Sequence, residues 1–238
     1  LLSFISNKIS EDYLTTNLRA SAYIYGSGQT RIPGKSPYSV LSYPWAGLKG
    51  ENGNPVGKLE GQNTENYSAI INQTNIEDAI YHGSSIPTMF GTFRNSISWK
   101  NLNLTVQLLY KGRYYFRRPS IRYGLLYDNW VGHSDFELRW QKPGDENTTS
   151  VPSLQFPLAS VQRDNFYTYS EATVEKADHI RLQDINLSYN FSKSIFGKFS
   201  SFQIYAIANN LGIIWRANKK NLDPEAPGLI PQPFNISF

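Results

Sequence analysis

Three histidines are the first residues of this chain to consider for catalysis or metal binding. His82, His133 and His179 lie far apart and lack a metal-binding spacing such as His-Glu-x-x-His, and the chain contains no Cys. Ser134 and Asp135 follow His133, but no Gly-x-Ser-x-Gly motif accompanies them to expose a nucleophilic serine. We therefore predict that the chain is not an enzyme and carries no metal or cofactor.

Two acidic segments could hold a cation through carboxylate oxygens. They are Asp145-Glu146 and Asp223-Pro224-Glu225, and neither follows the Asp-x-Asp-x-Asp ladder of a calcium loop. We expect them to be solvated acids in turns. The net charge of +4 is mild, and its basic clusters, Lys111 to Arg118 and Arg216 to Lys220, flank predicted strand ends, so nucleic acid is not a predicted partner.

Arginine and aromatic side chains in the long irregular segments are candidates for contacting a ligand. A guanidinium can hydrogen-bond a polar ligand or stack on it, and the amphipathic rings of Trp and Tyr can face a sugar or a peptide. The alternative is that these side chains anchor the loops by ring packing and ion pairs. The candidates for substrate-facing positions are Tyr115, Arg117, Arg118, Trp130, Arg139 and Trp140.

The element that organises the chain is a predicted hairpin from about Phe90 to Lys111. Apolar residues alternate with polar ones in both arms, and a period of two is typical of β-strands. The turn falls at Lys100-Asn101, and Leu109 is the exception to the pattern. The apolar face comprises Phe93, Ile97, Trp99, Leu102, Leu104, Val106, Leu108 and Tyr110, and the polar face comprises Thr92, Arg94, Ser96, Ser98, Asn103, Thr105, Gln107 and Lys111.

Strand length distinguishes two interpretations of this hairpin. Each arm has about ten residues, which a tilted strand needs to cross a bilayer and which exceeds the ~5–6 of globular sheets. A soluble sandwich would bury the apolar face, whereas an outer-membrane barrel exposes it to lipid and lines a wet lumen with the polar face. In a barrel, Arg94 and Gln107 would face the lumen or a plug. No apolar run approaches the ~20 residues of a membrane-spanning helix.

Further strands and long connections follow from the remaining pattern. Strands are predicted at Leu1 to Ile5, Leu14 to Tyr25, Ala177 to Ser192, Phe202 to Ala208 and Pro231 to Phe238, with a β-bulge near Gln183-Asp184 where the apolar parity slips. Gly26 to Ser85 is predicted to be loop with at most a short helix near Ile76 to Ile80, and Arg113 to Lys176 to be irregular. Lys193 to Ser200 is a predicted turn. Short and long connections therefore alternate, as in outer-membrane barrels.

The chain resembles the SusC/RagA branch of TonB-dependent outer-membrane transporters. The motifs occur in the order and with the spacing of that family. They are SYPWAGLKGENGNPVGKLEG (Ser42 to Gly61), YHGSSIPTMFGTFRNSISWKNLNL (Tyr81 to Leu104), YYFRRPSI (Tyr114 to Ile121), RWQKPGDE (Arg139 to Glu146), ADHIRLQDINLSYNFS (Ala177 to Ser192) and NNL (Asn209 to Leu211). The terminal Phe238 resembles the signal that barrel assembly machinery recognises.

This resemblance implies an all-β fold in which residues 1–238 supply roughly the last seven strands of a 22-stranded antiparallel transmembrane β-barrel with long extracellular loops. The N-terminal plug and the first barrel strands are expected upstream of Leu1. It further implies a SusD-like surface lipoprotein as partner, coupling to the TonB complex through the N-terminal part, and import of oligosaccharides or peptides across the outer membrane of a Gram-negative bacterium. The lipid bilayer surrounds such a barrel.

Two other functions are compatible with the residues alone. A secreted or surface carbohydrate-binding β-sandwich would use the Trp and Tyr side chains as platforms and bury the apolar faces. A passive porin-like channel would keep the barrel and dispense with the plug and the TonB coupling. The exposure of the apolar face distinguishes the sandwich from both barrels.

Overall fold

The computed structural model describes residues 1–13, 19–26, 30–157, 160–191 and 202–238. The elements in chain order are β1 (Leu2–Phe4), α1 (Ser21–Ile24), β2 (Ser39–Ser42), β3 (Trp45–Leu48), β4 (Pro55–Leu59), β5 (Gln62–Thr64), α2 (Tyr67–Gln73), β6 (Ile80–Ser84), β7 (Met89–Trp99), β8 (Leu102–Gly112), β9 (Tyr115–Arg117), α3 (Tyr123–Asn129), α4 (Val161–Tyr169), β10 (Val174–Lys176), β11 (His179–Phe191), β12 (Phe202–Arg216) and β13 (Asn235–Ser237). Short 3-10 helices span Ser134–Leu138, Asp145–Asn147 and Glu171–Thr173. Within these described ranges, no helix is both long enough and apolar enough to cross a membrane.

The chain divides into two units. The sheet unit comprises Leu1–Ser6, Pro87–Tyr114 and Lys176–Phe238, and the loop unit comprises Asn7–Ile86 and Tyr115–Glu175. The loop unit is thus built from the two long connections, one between β1 and β7 and the other between β8 and β11.

The sheet unit is one antiparallel sheet in the order β1-β7-β8-β11-β12-β13. The predicted hairpin is confirmed: Lys100 and Asn101 join β7 to β8, and Lys100 has a positive φ of 54°, as a tight two-residue turn requires. β7 and β8 have 11 residues each, β11 has 13 and β12 has 15. The prediction of an all-β chain organised on long antiparallel strands is confirmed.

The sheet has one apolar and one polar face, because residues paired directly across antiparallel strands share a face. Ile97 pairs with Leu104, which pairs with Leu187, which pairs with Ala206, so this apolar row crosses four strands. Apolar side chains of the face are exposed: Phe93 is 62%, Ile97 61% and Trp99 67% accessible. A sandwich would bury these side chains, whereas this sheet leaves them exposed.

The polar face is formed by the alternate residues of the same strands. Ser96 Oγ lies 2.9 Å from Thr105 Oγ1, and Ser98 Oγ donates to Asn103 Oδ1 at 2.7 Å. Its members include Arg94, Ser96, Ser98, Asn103, Thr105, Gln107, Asp184, Asn186 and Ser188. Hydroxyl and amide side chains in such rows are typical of a surface in contact with water.

The predicted β-bulge is confirmed at Gln183. The pairing of β11 with both of its neighbours steps from Leu182 to Asp184 and omits Gln183. The extra residue resets the alternation, so Leu182, opposite Leu108, and Ile185, opposite Val106, both lie on the apolar face.

The ends of the predicted strand set need correction. The predicted first strand is present as β1, which pairs with β7. The predicted strand from Leu14 to Tyr25 is wrong where it is described, because Ser21–Ile24 forms a helical turn. Ala20 and Ile24 are both buried, and a spacing of four matches a helix rather than a strand. Residues 14–18 and the predicted turn at Lys193 to Ser200 lie outside the described residues. The final strand is shorter than predicted, since β13 pairs with β12 only at Ile207–Asn209.

The loop unit is more ordered than the sequence indicated. It contains the sheets β3-β4-β5 and β2-β6, the strand pair β9–β10 and helices α1 to α4. The predicted helix near Ile76 to Ile80 is wrong, because the helix lies earlier, at Tyr67–Gln73, where the Asn66 side chain caps it by accepting from Ala69 N–H at 3.1 Å. Ile80 instead begins β6.

The two long connections share one core. Tyr43, Ile70 and Phe166 are each 0% exposed and belong to the same cluster, in which Tyr43 and Ile70 come from the first connection and Phe166 from the second. Tyr43 also accepts from Glu171 N–H at 3.1 Å and donates its own N–H to Tyr169 O at 3.0 Å. Contacts between segments distant in sequence therefore stabilise this unit.

Candidate functional site

A charged cluster lies on the polar face of the sheet unit, where β8 and β11 meet the segment that connects β12 to β13. We call residues 217–234 the return loop. Arg181 Nε donates to Glu225 Oε2 at 3.0 Å and its Nη2 donates to Asp223 Oδ2 at 2.7 Å. Lys111 Nζ also donates to the Glu225 carboxylate. The carboxylates thus attach the return loop to two neighbouring strands.

The alternation along β11 determines on which face of the sheet the Arg181 side chain lies. Arg181 alternates with Ile180 and Leu182, which lie on the apolar face, so its side chain is on the polar face, where it is only 6% exposed. Its Nη1 donates to Asn210 Oδ1 at 2.9 Å. Asn210 has a positive φ of 55°, a conformation that asparagine tolerates better than most residues.

Glu225 accepts hydrogen bonds from the cationic side chains of Lys111 and Arg181, and this environment changes its acidity. His179 Nε2 lies 3.5 Å from Glu225 Oε2, and the His179 side chain is fully buried. The nearby His179 ring, the hydrogen bond from Lys111 and the charges of Lys111 and Arg181 outweigh burial and lower the pKa of Glu225 to about 2. The expectation that Asp223 and Glu225 are solvated turn acids is therefore wrong. These acids instead pair with strand cations more than 40 residues earlier in the chain.

The predicted lumen-facing pair lies on the polar face. Arg94 and Gln107 occupy directly opposite positions in the β7–β8 pairing, and Gln107 also faces Asp184 on β11. Arg94 is exposed and Gln107 is half-buried. Phe238 follows β13 and is 90% exposed.

Arg117 and Arg118 are engaged within the loop unit. Arg117 donates to the carbonyl oxygens of Leu41 at 2.5 Å and Thr168 at 3.2 Å, and burial lowers its pKa to about 10. Arg118 is 2% exposed, and its Nη1 lies 2.5 Å from Asp135 Oδ2. Both guanidinium groups thus hold segments of the loop unit together in this conformation.

The aromatic candidates differ in accessibility. Trp140 is 8% exposed, donates from Nε1 to Glu146 Oε2 at 3.0 Å and lies over Gly53, where a Cβ atom would come within 2.4 Å of the indole. Trp130 is 89% exposed and follows α3 with a positive φ of 57°. The indole ring of Trp130 is therefore exposed to solvent, whereas that of Trp140 packs inside the loop unit.

Tyr115 and Arg139 are half-buried. The Tyr115 ring lies 6.0 Å from the His82 ring, and the Arg139 guanidinium lies 4.0 Å above the Phe136 ring. Each side chain keeps part of its surface accessible to a ligand.

The residues considered for catalysis have structural partners. His82 Nε2 lies 2.8 Å from Ser42 Oγ, and burial together with the charge of Arg117 lowers the pKa of His82 to about 4. Asp135, beside His133, accepts from Ser120 Oγ at 2.5 Å as well as from Arg118. Among the residues that the structure describes, no three His, Asp or Glu side chains are grouped to hold a metal ion.

The other acidic segment, Asp145-Glu146, caps its own turn. Asp145 Oδ2 accepts from the backbone N–H groups of Gln141 and Lys142, at 3.0 Å each, and these hydrogen bonds hold the pKa of Asp145 below its usual value. Glu146 accepts from Trp140, as described above. The carboxylates are therefore used as hydrogen-bond acceptors within the turn.

Comparisons with known proteins identify relatives of both units. No family model matches the chain. Over 165 residues, 68% of the chain, the sequence is 26% identical to the TonB-dependent receptor P26 of Formosa agariphila, of which this stretch covers 15%.

Three solved structures of the RagAB peptide transporter have a similar fold. One gives a TM-score of 0.56 at 22% identity, covering 84% of this chain and 21% of the other. The importer in its open–open state gives 0.60 at 22% identity, with 92% and 22% covered, and in its closed–closed state 0.60 at 23% identity, with 92% and 23% covered. The chain thus spans about a fifth of these chains and less of the curated relative. The resemblance to TonB-dependent transporters of the SusC/RagA branch is therefore confirmed, and the chain has the fold of a segment of such a transporter.

Proposed function

We propose that the sheet unit forms part of the wall of an outer-membrane β-barrel, with its apolar face on lipid and its polar face on the lumen. The observation that carries this proposal is the exposed apolar face, because Phe93, Ile97 and Trp99 would be costly to leave in water side by side. Strands of 11–15 residues are long enough to cross the hydrocarbon layer when tilted. Among the described residues, β1 and β13 each cover only three residues of the edges of β7 and β12, and further strands of the same barrel would complete these edges.

The transport function proposed for the whole protein is TonB-dependent import of oligosaccharides or peptides across the outer membrane of a Gram-negative bacterium. The similarity to a TonB-dependent receptor and to peptide transporters supports it. A SusD-like surface lipoprotein as partner, and contact with the TonB complex through an N-terminal plug region, are part of the same proposal. Neither requires catalysis by this chain.

The loop unit is proposed to face the cell exterior and to contact the cargo or the lipoprotein. The two long connections fold together around a core of their own. Long ordered loops of this kind usually carry a function rather than serving only as connections. Of the candidate side chains, Trp130 is the most exposed, and Tyr115 and Arg139 are partly accessible. Arg117, Arg118 and Trp140 would contribute by fixing the shape of the unit.

Cysteine labelling in intact cells tests the membrane orientation. Because this chain contains no Cys, labelling of a single-Cys variant reports on the substituted position. We expect Trp130→Cys to react with a membrane-impermeant maleimide in whole cells, and Lys100→Cys, in the two-residue turn, to react only after the outer membrane is opened. Labelling of Lys100→Cys but not Trp130→Cys in intact cells would contradict the orientation.

Uptake tests the transport function separately. Deletion of the gene should abolish accumulation of a labelled oligomeric nutrient, and dissipation of the proton-motive force should do the same in wild-type cells. Uptake that continues without the proton-motive force would instead indicate a passive channel.

A further inference from the structure

A groove of about 410 Å³ lies on the apolar face of the sheet unit, near the end of the sheet where β7 and β11 begin. It follows a row of paired residues in which Leu2 faces Gly91, Gly91 faces Tyr110 and Tyr110 faces Ile180. Gly91 contributes no side chain to this row, so a gap remains between its neighbours. The residues that line the groove include Leu2, Gly91, Phe93, Leu108, Tyr110 and Ile180.

The Tyr110 side chain connects this groove to the end of the sheet. A Cβ atom at Gly112 would overlap Tyr110 Oη, so the Tyr110 ring extends over Gly112, which is the last residue of β8. The ring therefore contributes to the wall of the groove, while its hydroxyl lies at the strand end. Among the residues that the structure describes, this hydroxyl has no hydrogen-bond partner.

Arg113 brings a positive charge to the same end of the apolar face. Its guanidinium lies 5.7 Å from the centre of the Phe4 ring, and Phe4 pairs with Met89, which is on that face. The Arg113 N–H donates to Asp178 Oδ1 at 2.8 Å, which fixes the backbone from which the side chain extends. Within the described ranges, the exposed guanidinium forms no ion pair. Its N–H donors are therefore available beside the end of the groove.

The groove lies on the surface that stays on the outside of the proposed barrel. Further strands add at the edges of a sheet, about 4.8 Å apart in its plane, and leave its two faces uncovered. Gly91, Leu108 and Ile180 lie on three successive strands, of which β8 and β11 are already paired on both sides. Material inside the barrel would lie on the opposite, polar face. Lipid is therefore the medium that meets the groove.

The chemistry of the groove and its end matches a lipid with an anionic headgroup. Aliphatic and aromatic walls suit an acyl chain, and a guanidinium can donate two parallel hydrogen bonds to a phosphate. The Tyr110 hydroxyl adds a further donor at the same level. In the proposed orientation the Lys100 turn is periplasmic, so the end that carries Arg113 and Tyr110 lies at the headgroups of the outer leaflet. A lipid without a phosphate would leave Arg113 unpaired there.

We propose that this groove binds an acyl chain of a phosphorylated outer-leaflet lipid, whose phosphate accepts hydrogen bonds from Arg113 and from the Tyr110 hydroxyl. The inference rests on the proposed barrel and its orientation, and it adds one lipid-binding site to a face that otherwise contacts lipid without selection. Basic side chains at the membrane surface are a common means of recognising lipid headgroups.

Native mass spectrometry of the delipidated full-length protein in detergent tests the headgroup contact. The probes are lipid A and the same lipid A after removal of its phosphates. Wild-type protein should bind the phosphorylated form about tenfold more tightly or better, as expected for hydrogen bonds to a charged group. Arg113→Gln should abolish this preference. Arg94→Gln removes the same charge from the polar face of β7 and should preserve it.

A second pair of variants tests the groove itself. Leu108→Trp would fill the groove and should weaken binding of both lipids about tenfold, because the acyl chain loses its contact with the groove walls. Leu104→Trp lies on the same face of the same strand, four residues nearer the turn and outside the groove, and should leave binding unchanged. Both positions face outward in the barrel, so folding should tolerate either indole.

Several outcomes would overturn the lipid site. They are equal binding of the two lipids by wild type, a preference that persists in Arg113→Gln, and equal weakening by Leu104→Trp and Leu108→Trp, which would indicate a nonselective lipid shell. A dimer of the chain that excludes lipid would overturn it as well, because a second copy would then cover the groove.

Failure of the lipid site can be told apart from failure of the proposed barrel. The labelling of Trp130→Cys and Lys100→Cys in cells reports on the barrel and its orientation alone. The expected labelling without a lipid preference would overturn only the lipid site, whereas the reverse labelling pattern would overturn the barrel orientation and with it the position assigned to Arg113.

Discussion

The proposed orientation of the sheet predicts opposite effects for the same substitution at neighbouring positions in the centre of β11. Ile185 lies on the apolar face, opposite Val106 on β8 and Ala208 on β12. Asn186, the next residue, lies on the polar face opposite Thr105. Arginine introduced at Ile185 would therefore enter lipid, and arginine at Asn186 would enter the lumen.

The magnitude follows from the depth of the position. Ile185 is the central residue of a 13-residue strand, so its side chain is placed near the middle of the bilayer. Arginine on the lipid face at that depth lowers the free energy of unfolding by about 2–4 kcal/mol. This corresponds to about a 30- to 900-fold decrease in the folding equilibrium constant. The same substitution at Asn186 should change the free energy of unfolding by about 0.5 kcal/mol or less, as for other hydrated positions.

Denaturant unfolding of the full-length protein in lipid vesicles provides the measurement. Tryptophan fluorescence reports the transition, since the chain supplies five Trp residues. Ile185→Arg should shift the midpoint to lower denaturant concentration, with Asn186→Arg close to wild type. Equal shifts for both variants, or a larger shift for Asn186→Arg, would refute the assignment of the two faces.

Three further predictions concern buried or paired charges. Arg118→Leu should destabilise the loop unit by about 3–5 kcal/mol, because it leaves the buried Asp135 carboxylate without its guanidinium partner. The double variant with Asp135→Leu should recover most of this loss, and hydrogen exchange of the loop unit measures both. Glu225 has a pKa lowered from 4.5 to about 2, so the stabilisation that its carboxylate contributes should be complete above about pH 4.5 and lost as pH falls toward 2. Glu225→Gln should raise hydrogen exchange around Glu225 at neutral pH, while Asp223 stays bonded to Arg181. Exchange rates around Glu225 that are unchanged in this variant would contradict the prediction. The pKa of His82 is lowered from 6.5 to about 4, so protonation of this ring favours the unfolded loop unit. The stability of the loop unit should therefore fall as pH drops from 6.5 to 4. His82→Gln should abolish this pH dependence, as measured by amide hydrogen exchange corrected for intrinsic rates.

The sheet unit was predictable because its two faces differ in polarity. The alternation of Ser96 and Ser98 with Ile97 and Trp99 determines both the strand and its orientation, and the two-residue turn follows from the point where the alternation restarts. Even the bulge at Gln183 left a visible parity slip, since a strand with one apolar face cannot change parity without an extra residue.

The loop unit could not be predicted in the same way. Its strands have three to five residues and its helices four to nine, which is too short for either period to be recognised. Tyr43 is buried because it meets Phe166 and pairs with Ser170, residues of the other long connection. Such burial depends on which distant segments meet, and neither segment carries that information alone.

The charged cluster could be predicted only in part. The alternation of β11 places Arg181 on the polar face, but its acidic partners are 42 and 44 residues further along the chain, in a loop without a period. Leu109 gave a signal of another kind, as the aliphatic residue on the otherwise polar side of β8. A residue that violates its local pattern commonly marks a site where another requirement prevails. Leu109 lines a cavity together with Leu229 and Ile230 of the return loop, so its side chain contributes to a wall that alternation alone does not predict.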